Sequence, residues 1–214
     1  MKTLKILTTI VPVFILSTAF GQNASSSDDR DMLQIGIKAG ANNSNLYDES
    51  GQSFKANSLW GFVGGGYLSI PIGTYLGVQP EVLYSEKGYS GQGTEINGPY
   101  SYTDRLDYLD VPIMLQFKPI PNLYLLGGPE YSYLLSRTYT FTQGVTSQTT
   151  QQDFDNDNVR HNVFGLIFGL DIHLGQLVLG GRVAWDEQDN NGNGTSTMPR
   201  YRNMWGQITL GLIL

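Results

Sequence analysis

His161 and His173 are the only histidines in the chain, and there is no cysteine. A hydrolytic centre needs a nucleophile, a base and a group that orients the base. His161 has Asp157 four residues before it, but neither histidine has a serine nearby in the same strand and phase. No enzyme is therefore expected, and the missing thiols remove redox chemistry, disulfides and a lipoprotein attachment site. Two oxygen-rich segments resemble calcium loops at their beginnings. Asp153, Asp155 and Asp157 occupy positions one, three and five, but Asn158 stands sixth and Phe164 twelfth. Asp189, Asn191, Asn193 and Gly194 fit better, yet Arg200 takes the place of the closing glutamate. No metal and no cofactor is expected. A net charge of −6 without a basic cluster excludes nucleic acid as a partner, because phosphates demand clustered lysine and arginine.

The remaining reactive side chains are charges embedded in apolar, alternating segments. Lys38 lies opposite in phase to Ile35, Ile37 and Ala39, while Glu81 and Lys87 oppose Val78, Val82 and Tyr84. Asp110 and Lys118 oppose Leu109, Val111, Ile113, Leu115 and Phe117; Glu130, Asp171 and Arg182 follow the same parity in later segments. Four cations and four carboxylates thus share one face. Period-2 alternation is the mark of a strand with two different environments.

The elements that position these charges are eight candidate strands, at Leu33 to Asn42, Leu59 to Ile70, Tyr75 to Gly88, Arg105 to Lys118, Leu123 to Arg137, His161 to Leu174, Leu177 to Asp186 and Tyr201 to Leu214. Their connections alternate in length. Tight links occur at Pro71 to Thr74, Pro119 to Asn122 and Leu174 to Gln176, and long polar ones at Asn43 to Ser58, Tyr89 to Asp104, Thr138 to Arg160 and Glu187 to Arg200. Short periplasmic turns alternating with long outer loops characterise transmembrane barrels. The fold class expected is all-β, an eight-stranded antiparallel up-and-down barrel over residues 33–214.

Residues 1–21 read as a cleaved signal peptide: Lys2 and Lys5 precede an apolar run from Ile6 to Phe20, and Ala19 and Gly21 supply the small residues of a cleavage site before Gln22. Residues 22–32 are polar and of low complexity, as in a disordered leader. The expected location is the outer membrane, with membrane lipid as the surroundings and the barrel-assembly machinery as a partner during biogenesis. The rival architecture is a soluble, lipocalin-like barrel with its apolar face inside. Parity alone leaves open which face is outside, but the alternating loop lengths and balanced charges favour the membrane form. Eight strands leave an interior that side chains fill, and charges in so narrow a space must pair. A plugged lumen is expected rather than a general pore, leaving envelope structure or loop-mediated surface interaction as roles. The aromatics Tyr75, Tyr84, Tyr124, Tyr131, Tyr133, Tyr139, Trp60, Trp185 and Trp205 fit membrane girdles or interior packing, while a glycan contact through the long loops is an alternative.

Three spaced blocks carry a resemblance: Gln79-Pro80-Glu81-Val82-Leu83-Tyr84-Ser85-Glu86-Lys87-Gly88, Tyr108-Leu109-Asp110-Val111-Pro112-Ile113-Met114-Leu115 and Leu126-Gly127-Gly128-Pro129-Glu130-Tyr131. They resemble the "porin family" or PorT-like outer-membrane β-barrel domain of Bacteroidota type, over Leu33 to Leu214. The resemblance implies an eight-stranded barrel of OmpA/OmpX-like size and supplies no catalytic residues. The chain departs from a common barrel pattern by ending in Leu214 rather than an aromatic residue.

Overall fold

The computed structural model describes residues 29–50, 56–95, 98–143, 146–152, 160–189 and 200–214. The expected signal peptide, most of the leader and the Asp153 to Asp157 segment lie outside these residues. Among the described residues no helix is long and apolar enough to cross a membrane. The chain is built from β1 (Gln34–Ser50), β2 (Asn57–Gly73), β3 (Leu76–Glu95), β4 (Gly98–Ile120), β5 (Leu123–Gln143), β6 (Thr146–Gln152), β7 (Asn162–Leu174), β8 (Leu177–Asp186) and β9 (Arg200–Ile213).

Every pairing is antiparallel, and eight strands form a ring. β9 returns to β1 from Gly36↔Ile213 to Ser44↔Trp205, so the barrel closes on itself. Closure satisfies the backbone of every wall strand without leaving an edge in hydrocarbon. β6 stands outside the ring, paired with the outer end of β5 from Arg137↔Gln152 to Gln143↔Thr146. The three tight links are two-residue turns at Thr74-Tyr75, Pro121-Asn122 and Gly175-Gln176. Gly175 has φ of 65°, a conformation used by hairpin turns whose twist matches that of the strands.

Burial along the alternating strands settles which face is inside. Along β4, Leu106, Tyr108, Asp110, Met114, Gln116 and Lys118 are buried, while Leu109, Ile113, Leu115 and Phe117 point out. Leu115 is 67% exposed and Lys118 is 0% exposed, the inverse of a water-soluble protein. Ile37, Phe62, Val82, Phe168, Val183 and Ile208 continue the same apolar belt around the ring. Such a surface suits hydrocarbon, where a lipid-facing Lys or Arg costs about 2–4 kcal/mol at the midplane. The lipocalin-like alternative, with its apolar face inward, is ruled out.

Strand length departs from the sequence reading. Tyr89 to Asp104, read as a loop, is largely ladder, with β3 and β4 paired out to Glu95↔Gly98. The segment read as a loop from Thr138 contains the end of β5 and all of β6, and β1 runs on to Ser50. The cause is physical: above the membrane the outward face meets water instead of lipid, so hydrophobic alternation ends while Thr, Tyr, Gln and Ser continue the hydrogen-bonded ladder. The leader also differs near its end. Asp29–Asp31 form a 3-10 turn, and the Arg30 guanidinium donates to the Lys118 carbonyl at 3.3 Å.

Candidate functional site

The lumen holds two polar layers. In the periplasmic half, Lys38 of β1 has Gly65 opposite it on β2 and Gly211 on β9. Small neighbours leave room for its stem to cross towards β3, where Nζ lies 2.5 Å from Glu81 Oε1. Opposite, Arg182 of β8 grips Asp171 of β7 with two parallel hydrogen bonds of 2.7 and 2.8 Å. This fork geometry is the strong form of a charge-assisted pair. Glycines again make the space: a Cβ on Gly180 would lie 2.8 Å from Asp171 Oδ1, and one on Gly169 2.5 Å from Arg182 Cδ. The two pairs meet at Glu81, whose Oε1 is 3.7 Å from Arg182 Nη2. Gln79 donates to Glu81 Oε1 at 2.6 Å and to Asp171 Oδ2 at 3.4 Å, and itself accepts from Gln116. Ser69 in turn donates to Gln116 Oε1 at 2.9 Å.

Met114, Leu126, Ile167, Ala184 and Trp205 form an apolar core cluster. Trp205 joins it to the outer layer, which is organised around one lysine. Lys87 Nζ is 2.9 Å from Asp110 Oδ2, 3.2 Å from Glu130 Oε1 and 3.3 Å from Ser132 Oγ. It also sits 3.6 Å from the centroid of the Trp205 ring, a close cation–π contact. Ser132 Oγ lies 2.6 Å from Asp110 Oδ1 and 3.2 Å from Glu130 Oε1, bridging the carboxylates. Asp186, buried and held by Asn203 Nδ2 at 2.7 Å, adds a third carboxylate at this level of the barrel, since it and Glu130 both pair with Gly165.

The two mouths differ again. At the outer end Arg137 makes hydrogen bonds of 2.9 and 2.6 Å to the two carboxylate oxygens of Asp104. Burial works against that charge, but the hydrogen bonds and charge of Asp104 outweigh it and hold the guanidinium above its ordinary pKa. Above this pair, Leu46, Tyr89 and Tyr201 form a buried cluster with Ala56 and Tyr102 packed on it. At the periplasmic mouth Lys118 Nζ donates to the Arg30 carbonyl at 2.8 Å and lies 5.1 Å from the Tyr124 ring centroid. The same Tyr124 ring stacks on His173 at 3.9 Å.

All eight sequence-derived lumen residues are buried inside the ring. Lys38, Glu81, Asp171 and Arg182 come together in one layer and Lys87, Asp110 and Glu130 in the other, while Lys118 stands apart at the periplasmic mouth. Sequence reasoning missed Asp186, which shares its phase with Arg182 four residues earlier. It also missed Asp104, in phase with Asp110 but assigned to a loop. Arg137 was hidden by a register shift between Asp107↔Ser136 and Tyr108↔Leu134, which changes the parity of β5 above the bulge. His161 and His173 begin and end the same strand region, roughly 40 Å apart at the usual rise per residue, so they cannot share a reaction centre. Among the described residues no group of three or more His, Asp or Glu is placed to hold a metal ion.

The comparisons agree with this architecture. No curated protein matches the sequence. Neisserial surface protein A is 12% identical with a TM-score of 0.50, the match covering 84% of this chain and 97% of that one. Ail, the attachment invasion locus protein of Yersinia pestis, is 13% identical over 85% of this chain and 99% of its own, with a TM-score of 0.46. The N-terminal β-barrel domain of Pseudomonas aeruginosa OprF is 10% identical over 86% and 100%, with a TM-score of 0.39. The likeness to the Neisserial protein supports the eight-stranded fold alone. The "Outer membrane protein beta-barrel domain" family matches residues 20–185, and with its apolar belt, closed ring and charged lumen the chain belongs to that family, a β-barrel protein of the cell outer membrane.

Proposed function

We propose that this protein is a closed, non-enzymatic barrel whose lumen is plugged by ion pairs, and that its work is done by the strands projecting beyond the membrane. The observation that carries this reading is the double layer of buried charge: Lys38, Glu81, Asp171 and Arg182 in one half, Lys87, Asp110, Glu130 and Asp186 in the other. Opening a solute path through either layer breaks charge pairs in a confined interior, which is costly unless water replaces every partner. Lys118 and Arg30 add a third contact across the periplasmic mouth. The same reading has the chain exported by a signal peptide cleaved before Gln22, delivered by the barrel-assembly machinery and surrounded by outer-membrane lipid. The Gln79 to Gly88, Tyr108 to Leu115 and Leu126 to Tyr131 blocks support PorT-like kinship.

Liposome swelling tests the reading. Vesicles carrying the purified protein should swell in isosmotic glycine or glucose no faster than empty vesicles. Swelling that falls with solute size would instead identify a small-solute porin, the alternative function.

A further inference from the structure

Beyond the apolar belt, β3, β4, β5 and β6 continue as a ribbon, and its inward-phase face is aromatic. Tyr100 stacks on Phe141 with centroids 5.8 Å apart and planes 25° apart, and Tyr102 stacks on Tyr139 at 6.2 Å and 24°. These four rings are half-buried, whereas Tyr89 and Tyr201 beneath them are fully buried and pack edge-to-face at 5.3 Å. Tyr102 packs on that cluster, edge-to-face with Tyr89 at 6.2 Å, and the stacked pairs carry the aromatic array on towards the strand tips. Glycines make room for it: a Cβ on Gly91 would lie 2.4 Å from the Tyr102 ring, and one on Gly93 2.5 Å from the Tyr100 hydroxyl. The glycines let both rings lie down across β3.

The chemistry around the rings is uncharged. Over residues 89–104 and 137–152 the only charged side chains are Glu95, Asp104 and Arg137, and the last two neutralise each other. Gln143, opposite Tyr100, and Gln148, opposite Phe141, place amides on the ring face, while the Thr140–Thr149 and Thr142–Ser147 hydroxyl pairs at 3.4 and 3.1 Å line the reverse face. An anionic polymer would require clustered cations, which the ribbon lacks. Flat aromatic surfaces with their own phenol hydroxyls and flanking amides match the apolar C–H faces and equatorial hydroxyls of a pyranose chain.

We infer that the Tyr100, Tyr102, Tyr139 and Phe141 face is a binding platform for an uncharged polysaccharide. The inference rests on the reading of a closed barrel that acts through its outer ribbon, and swelling assays test that reading independently of sugar binding. The test is calorimetric titration of the full-length mature protein in phospholipid nanodiscs, free of sugar-headed detergent, with laminarihexaose, cellohexaose and a heparin hexasaccharide. At least one neutral hexamer should bind saturably, with an affinity unchanged between 50 and 500 mM salt. The Tyr100→Leu/Phe141→Leu variant keeps an apolar strand face but loses two rings, and should bind at least tenfold more weakly. Tyr100→Phe should bind within about threefold of wild type, because the ring is retained. Folding of each variant is checked by heat-dependent gel mobility; should the double variant not fold, Tyr139→Leu takes its place with the same expectation. Absence of binding by both neutral hexamers at millimolar concentration overturns the inference, as does undiminished binding by the folded leucine variant. Salt-sensitive binding of the heparin hexasaccharide alone would overturn it in favour of a polyanion.

Discussion

The two polar layers of the lumen are built from the same side-chain types but balance differently. In the periplasmic half two cations face two carboxylates, and each charge has a partner of its own, Lys38 with Glu81 and Arg182 with Asp171. In the outer half Lys87 alone serves Asp110 and Glu130, with Asp186 close behind. Buried charge is tolerated when paired and is costly when single. The inner layer therefore behaves as a set of matched pairs, and the outer one as a hub whose integrity depends on one ammonium group.

That difference can be broken first at the hub. Lys87→Met leaves Asp110 and Glu130 without the cation that pairs them, in a layer that also holds Asp186, and should cost about 3–5 kcal/mol, the usual penalty for breaking a buried pair. Urea or heat titrations read by the mobility of folded and unfolded barrel would measure it. A loss below about 1 kcal/mol would show that the carboxylates have another counter-charge.

Removing a carboxylate should sharpen the contrast, because its effect differs between the layers. Asp171→Asn strips Arg182 of its bidentate partner and should lower stability by about 3 kcal/mol. Asp186→Asn removes one of three like charges around Lys87 while keeping a polar group beside Asn203, so stability should change by less than about 1 kcal/mol or rise. If Asp186→Asn costs as much as Asp171→Asn in the same assay, the hub description is wrong.

The smallest effect is expected outside the lumen. Arg105 and Glu86 approach to 3.6 Å on the outer surface, with the Arg105 side chain 46% exposed. Exposed pairs of this kind contribute about 0.2–1 kcal/mol, so Arg105→Gln should shift the unfolding midpoint barely beyond error. A loss comparable to Lys87→Met would mean that burial is not what distinguishes the lumen charges.

How far the sequence reveals these layers follows from what sets each feature. The wall was legible because a bilayer outside and a narrow lumen inside impose opposite demands on successive residues, so Lys38, Glu81, Lys87 and Asp110 declare their direction by parity alone. Asp186 obeys the same parity but ends its strand, where no following residue continues the alternation. Arg137 was illegible because the bulge beside Ser136 inverts the phase of β5 without any signal in residue type. The ribbon reads as loop because the outward side of Tyr89 to Asp104 meets water instead of lipid and so loses hydrophobic alternation. Which charges pair depends on barrel stagger and on glycines such as Gly169 and Gly180 opening space beside Arg182 and Asp171. Neither is encoded in one strand at a time.

The most direct test of the closed-lumen account is planar-bilayer recording of the purified wild-type protein beside Lys87→Met. Wild type should be silent or give rare, small events, and the variant should conduct more often, because loss of the hub admits water around three unpaired carboxylates. Large, steady currents from the wild type would contradict the account and make this barrel an open pore.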